Sequence, residues 1–233
     1  MSQLRVDVWS DVACPWCYVG KRRLEGALRE FPHASQVEVV WHAFELDPGA
    51  PAERDPAVSH AERLAKKYGM SVEQARSNSE RLRQVAKGEG LSFDFEHIRS
   101  GNMLDAHRLI RLGKQRGLQD AVEERFFKAY LEEGALMSDH ATLTRLAVEA
   151  GLPEGEVADV LASDLFTAEV RADEEQAREL GINGVPCFVL DGRFAVSGAQ
   201  PSQVLLSALN QAWSELDAAP ELAEGAVCGP DGC

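Results

Sequence analysis

Hydrophobic positions alternate at the start of the chain. Leu4, Val6 and Val8 are separated by Arg5 and Asp7, the period of a strand over Leu4–Trp9. After a turn containing Cys14-Pro15-Trp16-Cys17 the period becomes helical. Val19, Leu24, Ala27, Leu28 and Phe31 share a broad face until Pro32 stops the run. Val37–Phe44 returns to β-branched and aromatic residues and predicts a second strand. Together these segments form a β-α-β unit, whose crossover should be right-handed.

Pro48, Gly49, Pro51 and Pro56 then mark a loop, and a long helical region follows. Its predicted helices are Ser59–Tyr68, Ser71–Lys87, Leu104–Arg116, Leu118–Glu132, Thr142–Ala150, Glu154–Phe166 and Glu169–Leu180, with a brief extended piece at Leu91–Phe95. After Gly181 the pattern is β again. Pro186–Leu190 and Phe194–Val196 flank the turn pair Asp191-Gly192, and Val204–Leu216 is a last amphipathic helix. The order is β-α-β, helices, β-β-α. That is an α/β chain with the thioredoxin order, interrupted by a large inserted α-helical subdomain. The expected divisions are 1–48 and 179–216 for the two parts of the thioredoxin fold, 49–178 for the insert and 217–233 for a tail.

Composition narrows the function classes. Of 233 residues, 45% are hydrophobic and 27% charged, a soluble globular mixture. The net charge of −14 argues against nucleic acid, whose phosphates require clustered Lys and Arg, and against adhesion to anionic membranes. The first twenty residues lack a basic region followed by an apolar run, so the chain reads as cytoplasmic.

The five cysteines, Cys14, Cys17, Cys187, Cys228 and Cys233, are too few to staple a chain of this size. Cys14 and Cys17 lie between a strand and a helix. A helix N-terminus favours a thiolate on the first cysteine, and the second, nearly one turn on, can reach it and expel a mixed-disulfide partner. Cys14 is therefore the expected nucleophile and Cys17 the resolving cysteine, with Pro15 and Trp16 lining the site. A zinc site would need Cys228 and Cys233 as further ligands, at a spacing marginal for a metal knuckle. Tyr18 stands where haem attachment would need histidine, and the six histidines show no metal-ligand spacing. No cofactor or metal is expected. The second feature is Val185-Pro186, opening a strand after Gly-Ile-Asn-Gly.

These segments carry a family resemblance. VDVWSDVACPWCYVGKRRLE (6–25), WHAFELDP (41–48), NMLDAHRL (102–109) and GINGVPCFVLDGRFAVSGAQ (181–200) make the chain resemble the DsbA-like thioredoxin superfamily, most closely FrnE-type cytoplasmic dithiol oxidoreductases. The resemblance implies thiol–disulfide exchange with disulfide- or thiol-containing protein substrates, with glutathione or a thioredoxin-type protein as donor. It also implies that Pro186 is cis and lies with Val185 against the dithiol loop. Some FrnE-like members carry a second C-terminal cysteine pair, which Cys228 and Cys233 resemble; a shuttle pair and a structural disulfide both remain open for them. Relatives in fold include 2-hydroxychromene-2-carboxylate isomerases and kappa-class glutathione transferases, which typically have serine at the position of Cys14. A glutathione-dependent isomerase or transferase is thus the alternative enzyme, and a zinc-binding or chaperone-like protein the non-catalytic one. His107 is expected to be packed or to line the pocket. Cys187 is expected to be a buried, inert thiol facing away from the side of Pro186, with Trp41 and Phe44 in the core.

Overall fold

The computed structural model describes residues 3–218. A four-stranded sheet organises the chain, with strands β1 (Leu4–Ser10), β2 (Val37–Ala43), β3 (Cys187–Leu190) and β4 (Phe194–Ser197) in the order β2-β1-β3-β4. β1 and β2 run parallel, while β3 is antiparallel to both β1 and β4. Asp191 and Gly192 adopt positive φ at the β3–β4 turn, the conformation that an Asp-Gly hairpin supplies.

Alternation along β1 separates two apolar layers. Leu4, Val6 and Val8 pack with Leu24 and Ala27 of α1 (Pro15–Glu30) and with Leu205 and Leu209 of the last helix, Ser202–Ala218. On the opposite face Trp9 packs with Cys187, Val189 and Ala177.

Between β2 and β3 lie seven helices: α2 (His60–Tyr68), α3 (Val72–Gly88), α4 (Leu104–Gln115), α5 (Gln119–Leu131), α6 (His140–Glu149), α7 (Glu154–Leu161) and α8 (Thr167–Glu179); the helix Ser202–Ala218 is α9. Ser59 and Ser71 cap α2 and α3 through reciprocal capping boxes with Glu62 and Gln74. The chain is thus a thioredoxin fold with an inserted helical subdomain, whose own core includes Leu109, Phe126, Phe127, Leu143 and Leu146.

Two expected elements differ. The piece at Leu91–Phe95 is not a strand. Its backbone bonds to the Ala86 and Leu131 carbonyls, the Glu132 carboxylate and the Arg83 guanidinium, and Leu91, Phe93 and Phe95 are buried in the insert core. The helix expected over Glu154–Phe166 stops at Leu161, and Phe166 adopts positive φ. Arg108 holds the segment after this stop: its buried guanidinium donates to the carbonyls of Val160, Ser163 and Leu165, and so satisfies the chain as it leaves the helix.

Candidate active site

The turn Asp11–Cys14 presents the dithiol. The Cys14 backbone N–H donates to the Asp11 carbonyl at 2.9 Å, and the Asp11 carboxylate accepts from the N–H groups of Ala13 (2.9 Å) and Leu46 (2.7 Å). Asp11 thereby ties the segment after β1 to the segment after β2. Cys14 is the N-cap residue of α1, and Pro15 fills the first helical position, where no backbone donor is needed. The first turn contains no acidic residue, so the positive end of the helix dipole is uncompensated by a nearby carboxylate of α1.

The two sulfurs occupy different environments. Cys17 is fully buried and Cys14 is 6% exposed, whereas Trp16 between them is 41% exposed. Burial pushes the Cys17 thiol well above its ordinary range and the neighbouring Cys14 adds to this, while the Asp11 backbone and the Ser10 hydroxyl oppose it. This division suits a reachable first sulfur and a shielded second one.

Opposite the dithiol lies the loop before β3. The Val185–Pro186 peptide bond is cis, and the Cys14 sulfur lies 3.6 Å from the Val185 carbonyl oxygen. Gly20 lets α1 approach this loop: a Cβ there would stand 2.9 Å from Pro186 Cγ and 3.2 Å from Phe188 Cζ. Pro15, Trp16, Val185 and Pro186 are therefore gathered around Cys14 and Cys17. Cys187 points to the other face of the sheet, against Trp9, and burial raises its thiol pKa. Trp41 is buried in the layer beneath α1 and α9, and Phe44 packs against the Trp9 layer. Cys228 and Cys233 lie outside the described residues.

His107 is packed rather than open to the surface. It is 2% exposed, with Nε2 3.5 Å from Asp11 Oδ1 on the inner side of the loop. Burial lowers its pKa, but Asp11, Glu123 and Glu45 outweigh this and raise it. Ser10 and Glu123 also lie behind the dithiol, joined by a 2.9 Å hydrogen bond across 113 positions of sequence. Sequence reasoning missed both. A trace was present nonetheless: Glu123 falls on the helical stripe Val122, Phe126, Phe127 and Tyr130, where a solvent-facing side chain is unexpected.

Among the described residues, no helix is long and apolar enough to cross a membrane, and no group of three or more His, Cys, Asp and Glu is arranged to hold a metal ion.

Comparison with known proteins agrees with the fold and covers nearly its whole length. The family model of the DSBA-like thioredoxin domain matches residues 5–210. A probable DsbA oxidoreductase from Streptomyces coelicolor is 45% identical, with a TM-score of 0.89 over 99% of this chain and 98% of its own. A 2-hydroxychromene-2-carboxylate isomerase shares the fold at 16% identity and a TM-score of 0.68, over 93% of this chain and all of its own. The cytosolic disulfide reductase DsbM from Pseudomonas aeruginosa does so at 18% identity and a TM-score of 0.58, over 92% of this chain and 98% of its own. With its thioredoxin-type sheet, helical insert and dithiol at the head of α1, the chain belongs to the DSBA-like thioredoxin domain family.

Proposed function

We propose that this protein is a thiol–disulfide oxidoreductase that exchanges disulfides with protein substrates through Cys14 and Cys17. The observation that carries the reading is the placement of Cys14 at the N-cap of α1, against the Val185 carbonyl, with Cys17 buried behind it. In the reducing direction the Cys14 thiolate attacks a substrate disulfide. One substrate sulfur leaves as a thiolate and the other remains joined to Cys14. Cys17, as its thiolate, then attacks the Cys14 sulfur and releases the second substrate sulfur, leaving a Cys14–Cys17 disulfide. Two electrons have passed from the protein to the substrate. The oxidising direction runs through the same steps in reverse.

The exposed Trp16 beside the nucleophile offers an apolar contact for an extended segment of a protein substrate. Glutathione or a thioredoxin-type dithiol protein is the proposed electron donor that returns the pair to the reduced state. A glutathione-dependent isomerase is the weaker reading. Its support is a likeness of fold, whereas the second thiol at Cys17 has a direct use in exchange.

Turnover of a disulfide-bonded protein substrate with excess glutathione tests the proposal. Cys14→Ser should abolish turnover, and Cys17→Ser should accumulate a mixed disulfide on Cys14, visible by intact mass. Unchanged turnover in Cys14→Ser would refute the reading.

A further inference from the structure

Two parts of the molecule meet on one side chain of α1. Arg23 lies nearly one turn beyond Gly20, and its guanidinium donates in two directions. Nε donates to the Glu89 carboxylate at 2.7 Å, and Nη1 donates to the Ala199 carbonyl at 2.5 Å. Glu89 is the C-cap residue of α3 in the insert, whereas Ala199 belongs to the loop between β4 and α9. The insert and the thioredoxin part therefore face each other across Arg23. Arginine suits this place because its planar fork presents separate donors at fixed angles, which an ammonium group does not.

The Ala199 end of this contact leads to the nucleophile. Gln200 donates to the carbonyls of Ser197 (3.0 Å) and Gly198 (2.8 Å) within the loop, which leaves the Ala199 carbonyl for Arg23. The Gly198 N–H donates to the Pro186 carbonyl at 2.8 Å, and the Val185 carbonyl stands 3.6 Å from the Cys14 sulfur. Ala199 and Val185 both pack, half-buried, against the core cluster that contains Cys14 and Cys17. Contacts thus run without a gap from Glu89, through Arg23, the Gly198–Ala199 backbone and Pro186, to the backbone edge opposite Cys14.

We propose that Arg23 is a positioning residue for protein substrates: by bracing the loop after β4 against the helical insert, it fixes the Val185–Pro186 edge along which an extended substrate segment lies while Cys14 attacks. This rests on the exchange reading above. Stability is a small part of the role, because the side chains of Arg23 and Glu89 are 18% and 26% exposed and a single partly exposed ion pair contributes little to it. The brace acts by pre-organisation: an edge already held in place loses less freedom when a segment pairs with it. A small disulfide needs the Cys14 sulfur but no edge, and gains nothing from the brace. Arg23 therefore distinguishes polypeptide from small-molecule disulfides at one nucleophile.

Two reagents with the same leaving group test this on the reduced full chain with Cys228 and Cys233 replaced by serine. One is 5,5′-dithiobis(2-nitrobenzoate). The other is a short extended peptide whose central cysteine carries thionitrobenzoate as a mixed disulfide. With either, the Cys14 thiolate bonds to one reagent sulfur, the reagent S–S bond breaks, and its electron pair leaves on the coloured thionitrobenzoate. Arg23→Gln should raise the peptide concentration for half-maximal release about tenfold, with the maximal rate and the rate of the small reagent within about twofold of the parent. Arg23→Lys keeps the charge but not the fork, and should fall between the parent and Arg23→Gln. Glu89→Gln retains the Ala199 bond and should raise the half-maximal concentration about threefold; it carries the test if Arg23→Gln does not fold. A half-maximal concentration within about twofold of the parent in the folded variant that carries the test would overturn the brace while leaving dithiol exchange standing. Equal slowing of both reagents would also overturn it, since that marks a distorted dithiol turn rather than a loosened edge. No release from the parent protein with either reagent would overturn the exchange reading and this inference together.

Discussion

Cys14 and Cys17 are legible because their chemistry is local: three positions of sequence become nearly one helical turn, and the preceding strand fixes where that turn begins. Pro186 is legible for a similar reason, as a proline at the head of a strand. The residues behind the dithiol are not. Ser10 and Glu123 meet only because the insert folds back over the sheet, and no spacing rule joins positions 113 apart. Gly20 was equally silent, since a helical glycine is ambiguous until the loop it touches is known. Its role yields a prediction. Gly20→Ala gains about 1 kcal/mol of helix propensity, but the added Cβ crowds the ring of Pro186 and the edge of Phe188, and overpacking costs about 1–3 kcal/mol. A net loss of about 1 kcal/mol is expected in urea unfolding. A midpoint equal to or above that of the parent would show that α1 and the Pro186 loop are not in tight register.

Between elements, charges hold the insert to the thioredoxin part. Lys21 on α1 is buried beneath three carboxylates, Glu25 at 2.5 Å, Asp120 at 3.0 Å and Glu124 at 3.3 Å, the last two from α5. Tyr18, stacked on Phe127 at 5.0 Å, donates to Glu124 at 2.6 Å in the same seam. Lys21→Ala should cost about 2–3 kcal/mol, less than the loss from a fully buried pair because Asp120 is open to water. A loss below about 0.5 kcal/mol in urea unfolding would mean that apolar contacts alone dock α5. A second clamp joins the sheet to α8. His42 lies between Asp173 (2.7 Å) and Asp7 (2.6 Å) and stacks on Trp9. Burial lowers the His42 pKa, but hydrogen bonds to the two carboxylates outweigh it and raise it. Burial likewise raises Asp7, yet His42 and Arg5 bring it down to about 2. The His42 contribution is therefore complete below its unfolded pKa of about 6.5 and is lost as pH rises through the higher folded value. The Asp7 contribution is present above its unfolded value of about 4 and is lost as pH falls toward 2. The stability difference between the parent and His42→Gln should accordingly be larger at about pH 6 than at about pH 9. A constant difference would show that His42 is not charged in the folded protein. Helix ends show the limit of sequence reading at this scale. Ser59 and Ser71 announce their helices locally, whereas the chain leaving α7 is held by Arg108, more than fifty positions away.

Across the whole molecule, the sheet and its order follow from the switch between period-two and helical patterns, and the excess of helix over what one sheet can use identifies the insert. What the pattern could not convey is that the insert closes over the dithiol rather than standing apart. Cys14, Cys17 and Tyr18 belong to the same apolar core as Phe126, Phe127 and Leu109. The dithiol site is thus a junction: the sheet supplies the turn and the Pro186 loop, and the insert supplies the interior behind Cys17. Cys14 and Cys17 are proposed to form one reversible two-electron couple at this junction. Equilibration of the Cys228→Ser/Cys233→Ser protein in glutathione buffers of graded ratio, with peptide mass mapping of every cysteine, tests it most directly. The expected result is a single transition between a Cys14–Cys17 dithiol and disulfide, with Cys187 remaining a thiol throughout. Failure of Cys14 and Cys17 to pair at any ratio, or pairing of either with Cys187 instead, would contradict it.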